Sequence, residues 1–285
     1  MTPHRIFALA ALVLTAVVCV GADAQRSQQR PASPRIYVFE NGAIRGLDPA
    51  LFNFKREELK EVDFVNSSYL IVHPAGTLMF DSGGVPDGLF KGDGSPVTEG
   101  VMSATKPLLP QLKAAGYEPR DITYFALSHY HSDHTANANE FAGATWIVQK
   151  AERDFMFAPD PQGIIQPGTY AALRNVKSKI LDNEDFDVFG DGSVVIMTTP
   201  GHTPGHQVVA VKLANRGTVV LGGDLYHYPE ERATGRVPTF EFNVEQSKVS
   251  RARIEQFLKD TKGELWIEHD MRTHAALPKA PAFVD

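Results

Sequence analysis

The chain has 285 residues, enough for one large domain or two small ones with a sizeable core and no crosslinks. Hydrophobic residues make up 43% and charged residues 22%, a globular balance that excludes a disordered chain. The net charge of -6 gives no general attraction to phosphate backbones, so nucleic acid is not expected as a partner.

The N-terminus reads as a processing segment. Arg5 is followed by the apolar run Ile6 to Val20 and by Ala22-Asp23-Ala24, which predicts a signal segment over 1–24 and a periplasmic or secreted product. The apolar run is short for a membrane span and leads into polar Gln25 to Arg30, so no stable membrane insertion is expected after cleavage. The single cysteine, Cys19, falls inside that segment, and the Val18 before it is unlike a lipid-attachment signal. The mature chain then has no thiolate, and any metal must be held by nitrogen and oxygen. Residues 25–35, with Pro31 and Pro34, read as a linker, and 36–285 as a single catalytic domain.

Next in order come strands at 36–39, 69–72 and 77–80, the last running into the turn Asp81-Ser82-Gly83-Gly84. Apolar spacing predicts a helix over 106–115 that stops at Gly116. A buried strand at 122–127 ends at Ser128-His129, a helix follows at 135–141, and a strand at 145–148. Residues 151–180 break the rhythm with Phe155, Met156, Phe157, Ile164 and Ile165 among Pro and Gly, as an inserted lid or cap would. These side chains, with Leu51, Phe52 and Phe54, are expected to line an apolar groove. Strands at 194–198, 208–213 and 218–221 follow. A helix at 248–258 then offers Val249, Ile254, Phe257 and Leu258 for burial, and the last strand spans 265–267. The order sheet, helix, sheet, helix predicts an α/β (α+β) fold, a four-layer αββα sandwich.

The strongest local signal is His129-Tyr130-His131-Ser132-Asp133-His134, directly after a predicted buried strand. His129 and His131, at alternating positions, are placed to grip one ion, with Asp133 and His134 turned toward a second. Imidazole and carboxylate suit borderline-soft divalent ions, zinc above all, with iron, cobalt and manganese also accepted. Three further candidates stand at predicted strand ends. His206 lies in Thr199-Pro200-Gly201-His202-Thr203-Pro204-Gly205-His206, Asp224 follows Gly222-Gly223, and His269 follows Trp266-Ile267-Glu268. Ligands at the ends of separate strands can converge on one sheet edge. His202 is expected to pack beside the ligands, since seven positions are already filled.

His129 to His134 matches the HxHxDH signature of the metallo-β-lactamase fold superfamily, and the match continues in order through His206, Asp224 and His269. The resemblance implies two divalent ions. It puts His129, His131 and His206 on the first, Asp133, His134 and His269 on the second, and Asp224 between them with a hydroxide. Within that group the chain resembles N-acyl homoserine lactonases through the Thr199 to His206 run, Asn66-Ser67-Ser68-Tyr69-Leu70, Asp81-Ser82-Gly83, Ile147 to Lys150 with Glu152, and Glu268-His269-Asp270. The implied reaction is attack of the dimetal-bound hydroxide on a cyclic ester carbonyl, with Asp133 passing a proton to the leaving group. A homodimer is implied by the same resemblance. One departure stands out: those lactonases usually place a tyrosine three residues after the bridging aspartate, where this chain has His227 between Tyr226 and Tyr228. His227 and Tyr226 are the candidates for its role. The alternative substrate is a β-lactam, against which stands Asp224, because true β-lactamases of this fold generally lack a bridging aspartate; another dimetal esterase or phosphodiesterase is a more distant alternative.

Overall fold

Period-two patterning of short strands sets the layers. The computed structural model describes residues 30–161 and 163–285, and the expected signal segment 1–24, with Cys19, lies outside them. The strands are β1 (Arg35–Ile44), β2 (Phe64–His73), β3 (Gly76–Phe80), β4 (Val97–Glu99), β5 (Met102–Ala104), β6 (Tyr124–Ala126) and β7 (Thr145–Gln149), then β8 (Ser178–Leu181), β9 (Phe186–Asp187), β10 (Val194–Thr198), β11 (Gln207–Leu213), β12 (Gly217–Leu221) and β13 (Glu264–Trp266). The helices are α1 (Leu108–Ala114), α2 (Ser132–Thr135), α3 (Lys150–Met156), α4 (Pro229–Thr234), α5 (Val244–Thr261) and α6 (Met271–Ala276).

One sheet has the order β4-β5-β1-β2-β3-β6-β7-β8 and the other β13-β12-β11-β10-β9. The first is antiparallel through β3 and parallel from β3 to β8, while in the second only β12 and β13 run parallel. Alternate residues of each strand face opposite ways. Ile36 and Val38 therefore meet Val209, Val211 and Val219 between the sheets, while Tyr37 and Phe39 face outward beneath α1. Behind the second sheet, Val208, Ala210 and Val220 pack on Ile254 and Leu258 of α5. Helix layer, two sheets and helix layer form the expected αββα sandwich.

Helix α5 starts earlier than the expected 248, because the Asn243 side chain accepts from the backbone N–H groups of Glu245 and Gln246 and caps it at Val244. Its buried stripe is Ser247, Ser250, Arg251, Ile254 and Leu258, which leaves Val249, 70% exposed, on the solvent side. Residues 151–180 form the crossover from β7 to its parallel neighbour β8. That crossover crosses the metal-motif loop, where the Ser132 N–H donates to the Ile164 carbonyl at 3.0 Å.

The strand ends β3, β6, β12 and β13 release Asp81, His129, Asp224 and His269 at one edge of the sandwich. Close backbone approach there depends on Gly223, at φ +46°, where a Cβ would lie 2.6 Å from Ser128 Cβ and 2.9 Å from His206 Nε2.

Candidate metal centre

Asp224 organises the site. Its Oδ2 lies 3.3 Å from His202 Nε2, 3.6 Å from His129 Nε2 and 3.2 Å from His227 Nε2. Its Oδ1 lies 3.2 Å from His134 Nε2 and 3.0 Å from His269 Nε2. Asp133 Oδ2 completes the second group, 3.4 Å from His134 Nε2 and 3.5 Å from His269 Nε2. His131 Nδ1 completes the first, 2.9 Å from His129 Nε2 and 3.1 Å from His202 Nε2. Two sets of donors with metal-ligand spacing therefore flank one carboxylate: His129, His131, His202 and Asp224 on one side, Asp133, His134 and His269 on the other.

Divalent ions fit this arrangement by the atoms it strands. His134 Nε2 and Asp224 Oδ1 are buried without a hydrogen-bond partner, which is costly unless a cation or proton lies between them. Neighbouring oxygens hold the far nitrogens of the imidazoles. Ser128 Oγ holds His129 Nδ1 at 2.9 Å, Asp81 Oδ2 holds His134 Nδ1 at 3.2 Å, Glu241 Oε1 holds His202 Nδ1 at 3.1 Å, and the Val65 carbonyl holds His269 Nδ1 at 2.9 Å. Such outer partners fix the tautomer that leaves a lone pair for a metal.

Comparison with known proteins settles the family. The metallo-beta-lactamase superfamily profile matches residues 62–262.

The chain belongs to the metallo-beta-lactamase superfamily.

Among curated relatives, it is 28% identical over 265 residues to the N-acyl homoserine lactonase AttM of Agrobacterium fabrum, covering 87% of this chain and 98% of that one. It is 28% identical over 233 residues to the N-acyl homoserine lactonase AiiA of Bacillus thuringiensis subsp. kurstaki, covering 76% and 85%. Among solved structures, the crystal structure of a quorum-quenching N-acyl homoserine lactone hydrolase superposes with a TM-score of 0.73 at 23% identity, covering 90% of this chain and all of that one. AidC, a dizinc quorum-quenching lactonase, does so with a TM-score of 0.64 at 20% identity, covering 88% and 92%. The centre of this metallo-beta-lactamase-superfamily chain is a dinuclear metal-binding site of a hydrolase.

Six of the seven expected ligands, His129, His131, Asp133, His134, Asp224 and His269, meet at that site. The seventh does not. His206 is fully buried with both ring nitrogens engaged: Nδ1 lies 2.8 Å from Thr199 Oγ1, and Nε2 accepts the Asp224 N–H at 3.1 Å. His202 takes the place expected of it. Repetition of Thr-Pro-Gly-His hides the choice in sequence, and the turn geometry makes it: Gly201 at φ +142° presses against Ser247, which brings Glu241 behind His202.

Tyr226 is also corrected. Its backbone is extended, so consecutive side chains point to opposite sides. Tyr226 packs with Leu225 and Ile254 under the Arg251 guanidinium, while His227 faces Asp224. Tyr228 donates to the Val62 carbonyl at 2.9 Å. In the expected groove, Met156, Phe52 and Phe54 are core residues, and Phe157 packs on Trp146 and Tyr170. Phe155 stacks on Tyr130 at 4.6 Å, and Ile164 stays exposed.

Charge follows burial and neighbours. Burial lowers His129 well below the usual histidine range, and it takes His131 and His206 to about 3. Burial opposes charge on His134 and His227, but Glu268 and Asp133 outweigh it on the former, and Glu231 and Asp224 lift the latter to about 10. Burial would raise Asp224, yet His269, His134 and His227 hold it well below the carboxylate range. Neighbouring carboxylates thus favour the protonated form of His134 and His227, while burial favours the neutral form of His129, His131 and His206. Sequence reading missed two of the supporting carboxylates, Glu241 and Glu231, and quoted Asp81 and Glu268 as motif members without their place beside His134, because Asp81 and Glu268 lie far in sequence from that ring and Glu241 and Glu231 stand in segments with no motif.

Proposed function

We propose that the chain is an exported lactonase that opens the cyclic ester of N-acyl homoserine lactones with two zinc ions. The observation that carries this reading is Asp224, whose two oxygens face two separate histidine groups. The activity named for the relatives from Agrobacterium fabrum and Bacillus thuringiensis supports the substrate. His129, His131, His202 and Asp224 would hold one ion, and His134, Asp133, His269 and Asp224 the other. When bound, two such ions supply hydroxide near neutral pH and polarise a carbonyl.

Asp133 is the more open of the two ligand carboxylates, at 12% side-chain exposure against 5% for Asp224. It orients the attacking water, takes its proton and returns it to the ring oxygen as the ester C–O bond breaks. The acyl tail lies along exposed apolar side chains near the centre: Ile164 at 57%, Phe242 at 57% and Leu51 at 44%. Phe242 belongs to the loop that passes His202, whose carbonyl accepts the Phe242 N–H. Export is supported by Arg5, the Ile6 to Val20 run and Ala22-Asp23-Ala24. N-terminal sequencing of the processed protein is expected to begin at Gln25, and a chain starting at Met1 overturns it.

Elemental analysis with ring-opening assays on long- and short-chain lactones, beside one cephalosporin, tests the activity. Two ions per chain and fast lactone opening are expected. Asp224→Asn is expected to lower that rate at least about 100-fold, the upper end of what losing even an outer partner costs. A fast cephalosporin reaction with little lactone turnover moves the substrate to β-lactams.

A further inference from the structure

The imidazoles of the first donor group come from two loops, and one carboxylate outside both donor groups spans the gap between those loops. Glu152, on the first turn of α3 and 2% exposed, accepts the Tyr130 N–H through Oε1 at 2.8 Å. Its Oε2 accepts the Thr203 hydroxyl and the Gly205 N–H, also at 2.8 Å each. Tyr130 stands between His129 and His131, and Thr203 directly follows His202. The two oxygens therefore set how far His129 and His131 lie from His202.

The clamp is tight. Gly205 comes so close to α3 that a Cβ on it would lie 2.6 Å from the Glu152 N and 2.7 Å from the Glu152 Cβ. Glutamine could not replace the acid, because it has one acceptor oxygen and would turn an NH2 group toward a donor. The rings have little freedom to correct a shifted loop, since Ser128 and Glu241 already hold the far nitrogens of His129 and His202. The second donor group is tied elsewhere. The Ser82 N–H and hydroxyl both donate to the His134 carbonyl, at 2.8 and 2.9 Å, and His269 Nδ1 lies 2.9 Å from the Val65 carbonyl. Loss of the clamp thus frees the first group and leaves the second in place.

We propose that Glu152 is a positioning residue for the ion held by His129, His131, His202 and Asp224, and has no comparable part at the ion held by Asp133, His134 and His269. It acts through the backbone of both loops. A metal site needs its ligands within about 0.5 Å of the productive geometry, and a carboxylate bonded to both loops supplies that restraint. The inference rests on the two-ion centre and not on the lactone substrate.

Metal titration tests it. The protein is stripped by chelation and refilled with cobalt(II), and bound metal is counted while the visible absorption is recorded. Wild type is expected to take up two ions, and His202→Ala identifies the bands of the first by removing them. Glu152→Gln is expected to bind that ion about 10-fold more weakly, the lower end for an outer partner, and to change its bands while the second ion keeps its own. Gly205→Ala, which pushes the loop off α3, is expected to weaken the same ion. Ile254→Ala, which loosens the packing of α5 on the second sheet, is expected to bind both ions as wild type does and so separates positioning from general stability. Wild-type affinity for both ions in Glu152→Gln, equal weakening of both, or an equal loss in Ile254→Ala overturns the proposal. If Glu152→Gln does not fold, Thr203→Val removes one of the three bonds, and unchanged affinity for the first ion in that variant overturns it instead.

Discussion

His202 and His206 stand four residues apart in matching surroundings, and their different duties come from what touches each far nitrogen. Glu241 holds His202 Nδ1 and turns Nε2 to Asp224, whereas both nitrogens of His206 serve as struts to Thr199 and the Asp224 backbone. His202→Ala is therefore expected to lose one of the two ions by elemental analysis. His206→Ala is expected to keep both and to lose stability instead. It empties a buried site and strands the Asp224 N–H, at a cost of roughly 2–4 kcal/mol in denaturant unfolding. The opposite pattern, with the ion lost from His206→Ala, would refute the assignment. The six-residue motif His129 to His134 was legible because neighbouring residues on one tight loop share a neighbourhood in any fold. The choice between His202 and His206 was not, since Glu241 reaches His202 from 39 residues away.

Among elements, the start of α3 binds the two loops that carry the first ligand group. Glu152, on the first turn of α3, accepts the Tyr130 N–H, the Gly205 N–H and the Thr203 hydroxyl, each at 2.8 Å. One carboxylate thus spaces the His129–His131 loop from the His202–His206 loop. Burial nonetheless lifts its pKa to about 7, outweighing the hydrogen bonds that favour the ionised form. A carboxyl with a folded pKa above its unfolded value near 4.5 gives its full contribution to stability below that value and loses it as pH rises through about 7. Stability relative to Glu152→Gln is expected to fall by about 3 kcal/mol between pH 4.5 and 7.5, measured on the metal-free protein so that ligand protonation is common to both. A difference that stays level with pH would show that the ionised carboxylate is fully compensated. Element boundaries were readable where a local signal exists, as at Gly116 after α1. They were misread where the cap was overlooked: Asn243 starts α5 four residues before the expected position, and the rotated stripe leaves Val249 in solvent. The crossover at 151–180 was visible as a break in rhythm, but its packing on Tyr130, Trp146 and Tyr170 depends on partners that no local pattern names.

At the scale of the whole molecule, the two sheets and both helix layers meet at one edge, and that edge is charged. The layer order could be read from the sequence because strand and helix patterns follow one another in blocks, while the convergence of Asp81, Asp224 and His269 needed the parallel pairings β3–β6 and β12–β13. His134, His202, His227, Asp133 and Asp224 are buried together, and His134 Nε2 and Asp224 Oδ1 lack a hydrogen-bond partner, so this edge is costly to bury unless positive charge balances it. Ions that bind only the folded chain stabilise it by mass action, by about 4 kcal/mol for each ion present at a thousandfold excess over its dissociation constant. At roughly 2–4 °C per kcal/mol for a chain of this size, chelation is expected to lower the Tm by 10 °C or more, and added zinc to restore it. Asp224→Asn separates this linkage from general weakening. It is expected to melt near the chelated wild type and to respond little to zinc, because the oxygens that join both ligand groups are altered. Ile254→Ala, which opens a cavity between α5 and the second sheet, is expected to lower the Tm of loaded and stripped protein alike. If chelation leaves the wild-type Tm unchanged while the metal count falls to zero, the edge is already satisfied by protons, and the centre contributes to chemistry without contributing to the fold.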